Sequence, residues 1–154
     1  MRITQWGEYG VHCLVYIARK HRQGQSTVNA AEIAAAQGIA PLYAQQILQR
    51  LRRRSIIKSV RGPQGGYVLA KKPSELTLKQ LFDALEGKAH VWADGREALK
   101  ADADEVKIAN FIFWKKLRAS IEDGLASSSL KNLMDQARQT KKEKKSSAAY
   151  PFHI

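Results

Sequence analysis

The 154-residue sequence holds a single cysteine, Cys13. One thiol excludes an intramolecular disulfide and any cysteine-only metal site within one chain. Long apolar runs are missing as well. No window approaches the ~18 apolar residues of a membrane span, and Met1 to Gly10 lack the apolar core of a signal peptide, so the expectation is a cytoplasmic chain with no membrane contact. Enzyme signatures are equally scarce. The sequence contains no phosphate-binding loop, no Gly-x-Ser-x-Gly elbow and no His-Glu-x-x-His pair, and its acidic residues are scattered. No catalytic role is expected.

Acidic side chains are the other shortage. Twenty-six Lys and Arg face fourteen Asp and Glu, a net of +12, which favours polyanionic partners without specifying a fold. Residues 1–87 carry thirteen basic and five acidic residues, a net of +8; residues 88–154 carry thirteen and nine, a net of +4. Much of the latter sits in Lys141, Lys142, Lys144 and Lys145. The positive field belongs mostly to the first half.

What is present is an ordered series of helix signals interrupted once by a strand signal. Trp6, Val11, Leu14, Val15 and Ala18 recur at helical spacing over Thr4 to His21. Asn29 with Glu32 resembles a capping box, and Gly38 closes the second helix. Pro41 suits the first position of a third helix reaching about Arg54. Its apolar face is Ala44, Ile47, Leu48 and Leu51, with Tyr43, Gln45, Gln46, Gln49, Arg50, Arg52 and Arg53 largely outward. Two short strands then flank Gly62-Pro63-Gln64-Gly65-Gly66, a hairpin pattern. Thr77 with Gln80 caps a fourth helix that Gly87 ends. Residues 88–101 read as a linker. A long helix follows over Ala103 to Glu122, stopping at Gly124, with a short one around Leu130, Leu133 and Met134. The expected fold is mostly α with a small β-hairpin wing: a winged helix-turn-helix followed by a long helix. The division expected is 1–87, 88–101, 102–138 and a mobile basic tail, 139–154.

The third helix points to double-stranded DNA. A major groove admits one helix, and bidentate Gln–adenine and Arg–guanine pairs read base edges there. Gln45, Gln46, Gln49 and Arg50 supply such groups, and the N-terminal end of a recognition helix usually reaches bases, which adds Leu42 and Tyr43. Arg52, Arg53 and Arg54 lie at the end where phosphate contact is expected. In the hairpin, Arg61 beside Gly62 suits a narrow minor groove, and Arg2 and Lys58 suit phosphates.

Arg2-Ile3-Thr4, Gly38-Ile39, Tyr43 and above all the run from Ser59 to Leu69, with its Ser-x-Arg-Gly-x-x-Gly-Gly-Tyr pattern, carry a family resemblance. The sequence resembles IscR/NsrR/CymR-type (Rrf-type) winged helix-turn-helix transcriptional regulators, strongly over 1–87 and more weakly to about residue 135. The resemblance implies a homodimeric repressor of a palindrome-like operator, with helix 41–54 in the major groove and Arg61 at the minor groove. It also implies a long helix crossing its partner, here through Ile108, Ile112, Trp114, Leu117 and Ile121. Pro41 and Leu42 depart from the serine-rich start common in the family, so the operator sequence does not carry over.

Many relatives hold an iron–sulfur cluster on three linker cysteines. The corresponding stretch, Lys88 to Glu97, has none, and clusters are held chiefly by thiolates. No cofactor is therefore expected. Glu8, His12 and Cys13, joined by His90, form the alternative sensor site, since a few relatives use a glutamate and a histidine in the first helix. A surface Glu–His pair beside a buried structural cysteine accounts for the same residues. Cys13 as a thiol sensor is a further alternative, requiring exposure and a neighbouring cation. Trp92, Phe111, Phe113 and Trp114 could line a small-ligand pocket, although a helix apolar on several faces is also what a dimer seam requires. A protein partner is left open. A non-specific architectural or RNA-binding protein is the rival function.

Overall fold

The structure, a computed structural model, describes residues 5–87 and 103–148. Arg2, His90, Trp92 and the rest of the expected linker lie outside the described residues.

Among the described residues, six α-helices and one hairpin follow the anticipated order: α1 (Gln5–Arg22), α2 (Ala30–Gln37), α3 (Pro41–Arg53), β1 (Ile57–Val60), β2 (Gly66–Leu69), α4 (Leu78–Glu86), α5 (Glu105–Ala126) and α6 (Leu130–Ala148). Local chemistry sets most boundaries. The Asn29 side chain accepts from the Glu32 backbone N–H at 2.8 Å and starts α2. Gly38 stops it at φ 65°, a conformation glycine adopts without steric cost. Thr77 and Gln80 exchange reciprocal side-chain-to-backbone hydrogen bonds of 3.2 and 3.1 Å at the start of α4.

The core is one cluster. Leu14 and Ile17 from α1, Ile33 from α2, Ala44, Ile47, Leu48 and Leu51 from α3, Ile57 from β1 and Leu81 and Leu85 from α4 are all buried. Leu130 and Met134 of α6 enter the same cluster. Backbone bonds fix that return: Leu130 N–H donates to the Leu76 carbonyl at 2.8 Å, and Leu78 N–H to that of Ser128 at 2.9 Å. The first turns of α6 therefore pack as part of the unit expected to end at residue 87.

Two C-terminal boundaries differ from expectation. Helix α5 runs through Gly124 to Ala126. A single exposed glycine costs a helix only about 1 kcal/mol, and the stop comes where Ser127 N–H and hydroxyl bond to the Asp123 and Gly124 carbonyls at 2.9 and 3.0 Å. Helix α6 absorbs the first ten residues of the expected tail, reaching Ala148. That stretch has no Gly or Pro, is rich in strong helix formers, and gains i,i+4 support from Gln139–Glu143 at 3.1 Å.

Candidate nucleic-acid interface

Helix α3 divides into three strips. Ala44, Ile47, Leu48 and Leu51 are fully buried and anchor it. On the opposite side Leu42, Gln45, Gln46, Gln49, Arg52 and Arg53 are exposed at helical spacing, on one continuous face. The N-terminal part of this face borders a shallow depression shared with Ala30 and Tyr67.

The third strip holds two residues that the sequence places largely outward. Tyr43 and Arg50 are seven residues apart, two turns along the edge of the core, and both are half-buried. The Tyr43 ring packs 4.9 Å from that of Trp6 and 5.7 Å from that of Tyr9. Burial is the main force pushing its hydroxyl pKa above the ordinary tyrosine value. Arg50 also reaches across to its neighbours: its Nε donates to the Ala84 carbonyl at 3.2 Å, and its guanidinium lies 5.6 Å from the Trp6 ring centre. Ala84 is in the last turn of α4, where carbonyls lack helical partners and a cation is favoured. Arg50 thus holds α4 to α3. Trp6, placed by its spacing in the α1 stripe, turns out to support both side chains. No local signal marks that role, because its partners are about forty residues away.

Glu32 also departs from its expected partner. Its carboxylate accepts from the Tyr16 hydroxyl at 3.1 Å and the Gln25 amide at 2.9 Å, and pairs with Lys20 at 3.1 Å. Burial pushes this carboxyl upward, but the three donors outweigh it and leave the pKa below the ordinary glutamate value. The network ties α2 to α1 and to the loop between them.

The wing is held by more than its own ladder. Strands β1 and β2 pair antiparallel with Ile57 opposite Leu69 and Val60 opposite Gly66. On the other side of β2, Tyr67 exchanges backbone hydrogen bonds with Val28, at 2.8 and 3.1 Å. Gly66 permits this approach, since a Cβ there would sit 2.7 Å from the Val28 carbonyl oxygen. The Thr27 hydroxyl reaches the Gln64 carbonyl at 2.6 Å, fixing the hairpin tip to the loop before α2. Arg61 and Lys58 are exposed on this braced hairpin. Among the described residues, no ion pair involves Arg52, Arg53, Arg54, Lys58 or Arg61. An unpaired cationic surface flanking an amide-rich helix face suits a polyanion whose base edges are to be read.

Of the sensor candidates, His90, expected to join across a dimer, lies outside the described residues, and Cys13 is withdrawn from the exposed Glu8–His12 face. Cys13 is completely buried in the core, and burial pushes its thiol up to about 11. It is protonated at neutral pH, the reverse of a reactive thiolate. Glu8 and His12 are exposed on α1, and His12 meets the Tyr9 ring edge-on at 6.1 Å. No three metal-ligating side chains converge among the described residues. With one thiol, buried and protonated, the donors among the described residues do not fit an iron–sulfur cluster.

Beyond the DNA-facing unit, α5 contains no buried residue. Ile108, Ile112, Trp114 and Leu117 are exposed, Ile121 is half-buried, and Val106 and Phe113 are 78% and 58% exposed. Val106 and Phe113 widen the apolar surface beyond the expected set. No helix among the described residues is long and apolar enough to cross a membrane.

A helix-turn-helix with a braced basic wing defines a DNA-binding transcriptional regulator. Residues 3–136 match the Rrf2 family, described as an iron-dependent transcriptional regulator, and the chain belongs to that family. It is 32% identical to the HTH-type transcriptional regulator IscR of Photorhabdus laumondii over 136 residues, which is 88% of this chain and 80% of that protein. The structure of CymR, the global cysteine regulator of Bacillus subtilis, superposes with a TM-score of 0.70 at 26% identity, covering 88% of this chain and 98% of that one. The structure of T. potens IscR gives 0.70 at 31% identity, covering 91% and 90%.

Proposed function

We propose that this regulator represses transcription in the cytoplasm by binding a palindrome-like operator as a homodimer. Each α3 lies in a major groove with Leu42, Gln45, Gln46 and Gln49 toward the bases. Arg52 and Arg53 take phosphates, and each wing sets Arg61 at the flanking minor groove with Lys58 on the backbone. The observation that carries this reading is the face of α3: uncharged side chains at its N-terminal half, unpaired arginines at its C-terminal end. Homodimerisation is supported by the exposed apolar surface of α5, since a helix apolar on several faces needs a partner. A second copy related by two-fold symmetry would place two identical reading heads on a symmetric site.

The test is selection of a preferred duplex from a random pool, followed by binding of that duplex and a scrambled control. Selective binding at roughly nanomolar levels is expected. The double variant Gln45→Ala/Gln46→Ala should lose the preference while retaining weak, salt-sensitive binding. Equal affinity of the wild-type chain for all duplexes would instead identify an architectural DNA-binding protein. Retained preference in the double variant would remove the two glutamines as readers.

A further inference from the structure

The N-terminal half of the α3 face has an unusual vocabulary. Between Pro41 and Gln49 the exposed side chains beyond the proline are Leu42, Gln45, Gln46 and Gln49, with no carboxylate and no cation. The arginine that follows, Arg50, is engaged with the Ala84 carbonyl and the Trp6 ring. Guanine, whose usual partner is arginine, and cytosine, whose amino group calls for a carboxylate, therefore lack their best readers over this half. Adenine does not, because a glutamine amide presents the donor and acceptor that its N6 and N7 require.

Leu42 carries no hydrogen-bonding group and is 69% exposed. Facing a base edge that offers only donors or acceptors, it would strip water from those groups and return nothing, an unfavourable exchange. The apolar feature of the unmodified major groove is the thymine C5-methyl. Gln45 and Gln46 follow one helical turn later, about 5 Å along the axis, which corresponds to one or two base pairs.

We infer that Leu42 reads a thymine methyl, one or two base pairs from an adenine read by Gln45 or Gln46, so that each half-site contains an A·T-rich core. This rests on α3 being the recognition helix.

The experiment removes the methyl alone. Each thymine of the selected operator is replaced in turn by deoxyuridine, symmetrically in both half-sites, and binding of the full chain is measured by fluorescence anisotropy. One position is expected to weaken binding about fourfold per half-site, or about fifteenfold for the pair. Leu42→Ala should bind the thymine operator more weakly than wild type and show no further loss on the deoxyuridine one. The variant keeps its fold, because position 42 is exposed and alanine is the better helix former. If no position is methyl-sensitive while sequence preference persists, the inference fails and the recognition-helix reading stands. Equal sensitivity in wild type and Leu42→Ala assigns the methyl to another residue and also overturns it. Absence of any preferred duplex overturns both.

Discussion

Removing the Arg50 side chain separates the position suggested by sequence from the position found. As the base-reading contact that the sequence suggests, Arg50→Ala would leave the fold intact, cost about 1–3 kcal/mol of operator affinity per half-site and relax base preference at one position. The structure predicts a different result. A hydrogen bond from a charged donor contributes about 1.5–3 kcal/mol, here toward the lower end because the guanidinium is only half-buried. The contact with Trp6 adds about 0.5 kcal/mol at such a partly exposed site. Together they make Arg50→Ala about 2 kcal/mol less stable, a drop of about 4–8 °C in melting temperature for a chain of this length. Arg50→Lys keeps the charge near the α4 C-terminus but loses the planar stack and the fixed Nε geometry, and should fall between the two. Urea denaturation gives the stabilities and anisotropy titrations against base-substituted operators give the preference. Relaxed base preference at one position of each half-site with unchanged stability would refute the structural assignment.

Arg61→Ala should weaken operator binding about tenfold per arginine, the scale of one charge-assisted contact, without changing dimerisation; unchanged affinity would remove the wing from the interface. Trp114→Asp should give monomer or aggregate by size-exclusion chromatography with light scattering, and an intact dimer would place the seam elsewhere. Glu32 has a folded pKa below its unfolded value, so its contribution to stability is complete above about pH 4.3 and disappears as pH falls through the folded pKa. Glu32→Gln should therefore flatten the acid limb of the stability profile below that pH; an unaltered limb would show that the network with Tyr16, Gln25 and Lys20 is energetically silent.

Features decided within a few residues were legible in the sequence. Asn29, Gly38, Pro41 and the Thr77–Gln80 pair each act on the backbone next to them, so their residue types suffice to mark the helix ends. The hairpin and the buried face of α3 were equally clear, because one depends on a glycine-rich turn and the other on a regular period. Partners chosen across the fold were not. Tyr43 and Arg50 have the polar character of outward residues, and only the packing of α1 and α4 shows that their shared strip borders the core. The Val28–Tyr67 backbone pairing joins segments about forty residues apart and leaves no mark in either. Helix α6 was underestimated because a run of lysines suggests a solvated tail, although lysine is a good helix former when no glycine or proline intervenes.

The return of α6 to the core changes how the two ends of the molecule are related. Leu130 and Met134 are buried with Leu76, Leu81 and Leu85, while the backbone exchange around Leu76, Leu78, Ser128 and Leu130 leaves little room for sliding. Arg50 then links α4 to α3, and Trp6 bridges Arg50 to Tyr43 at the start of the reading helix. A contiguous packed route thus runs from the α5–α6 junction to the residues flanking Leu42. In the proposed dimer joined through α5, the separation of the two α3 helices would be set by these contacts. Loosening them should alter half-site spacing before it alters base preference, because the side chains proposed to read bases take no part in the route.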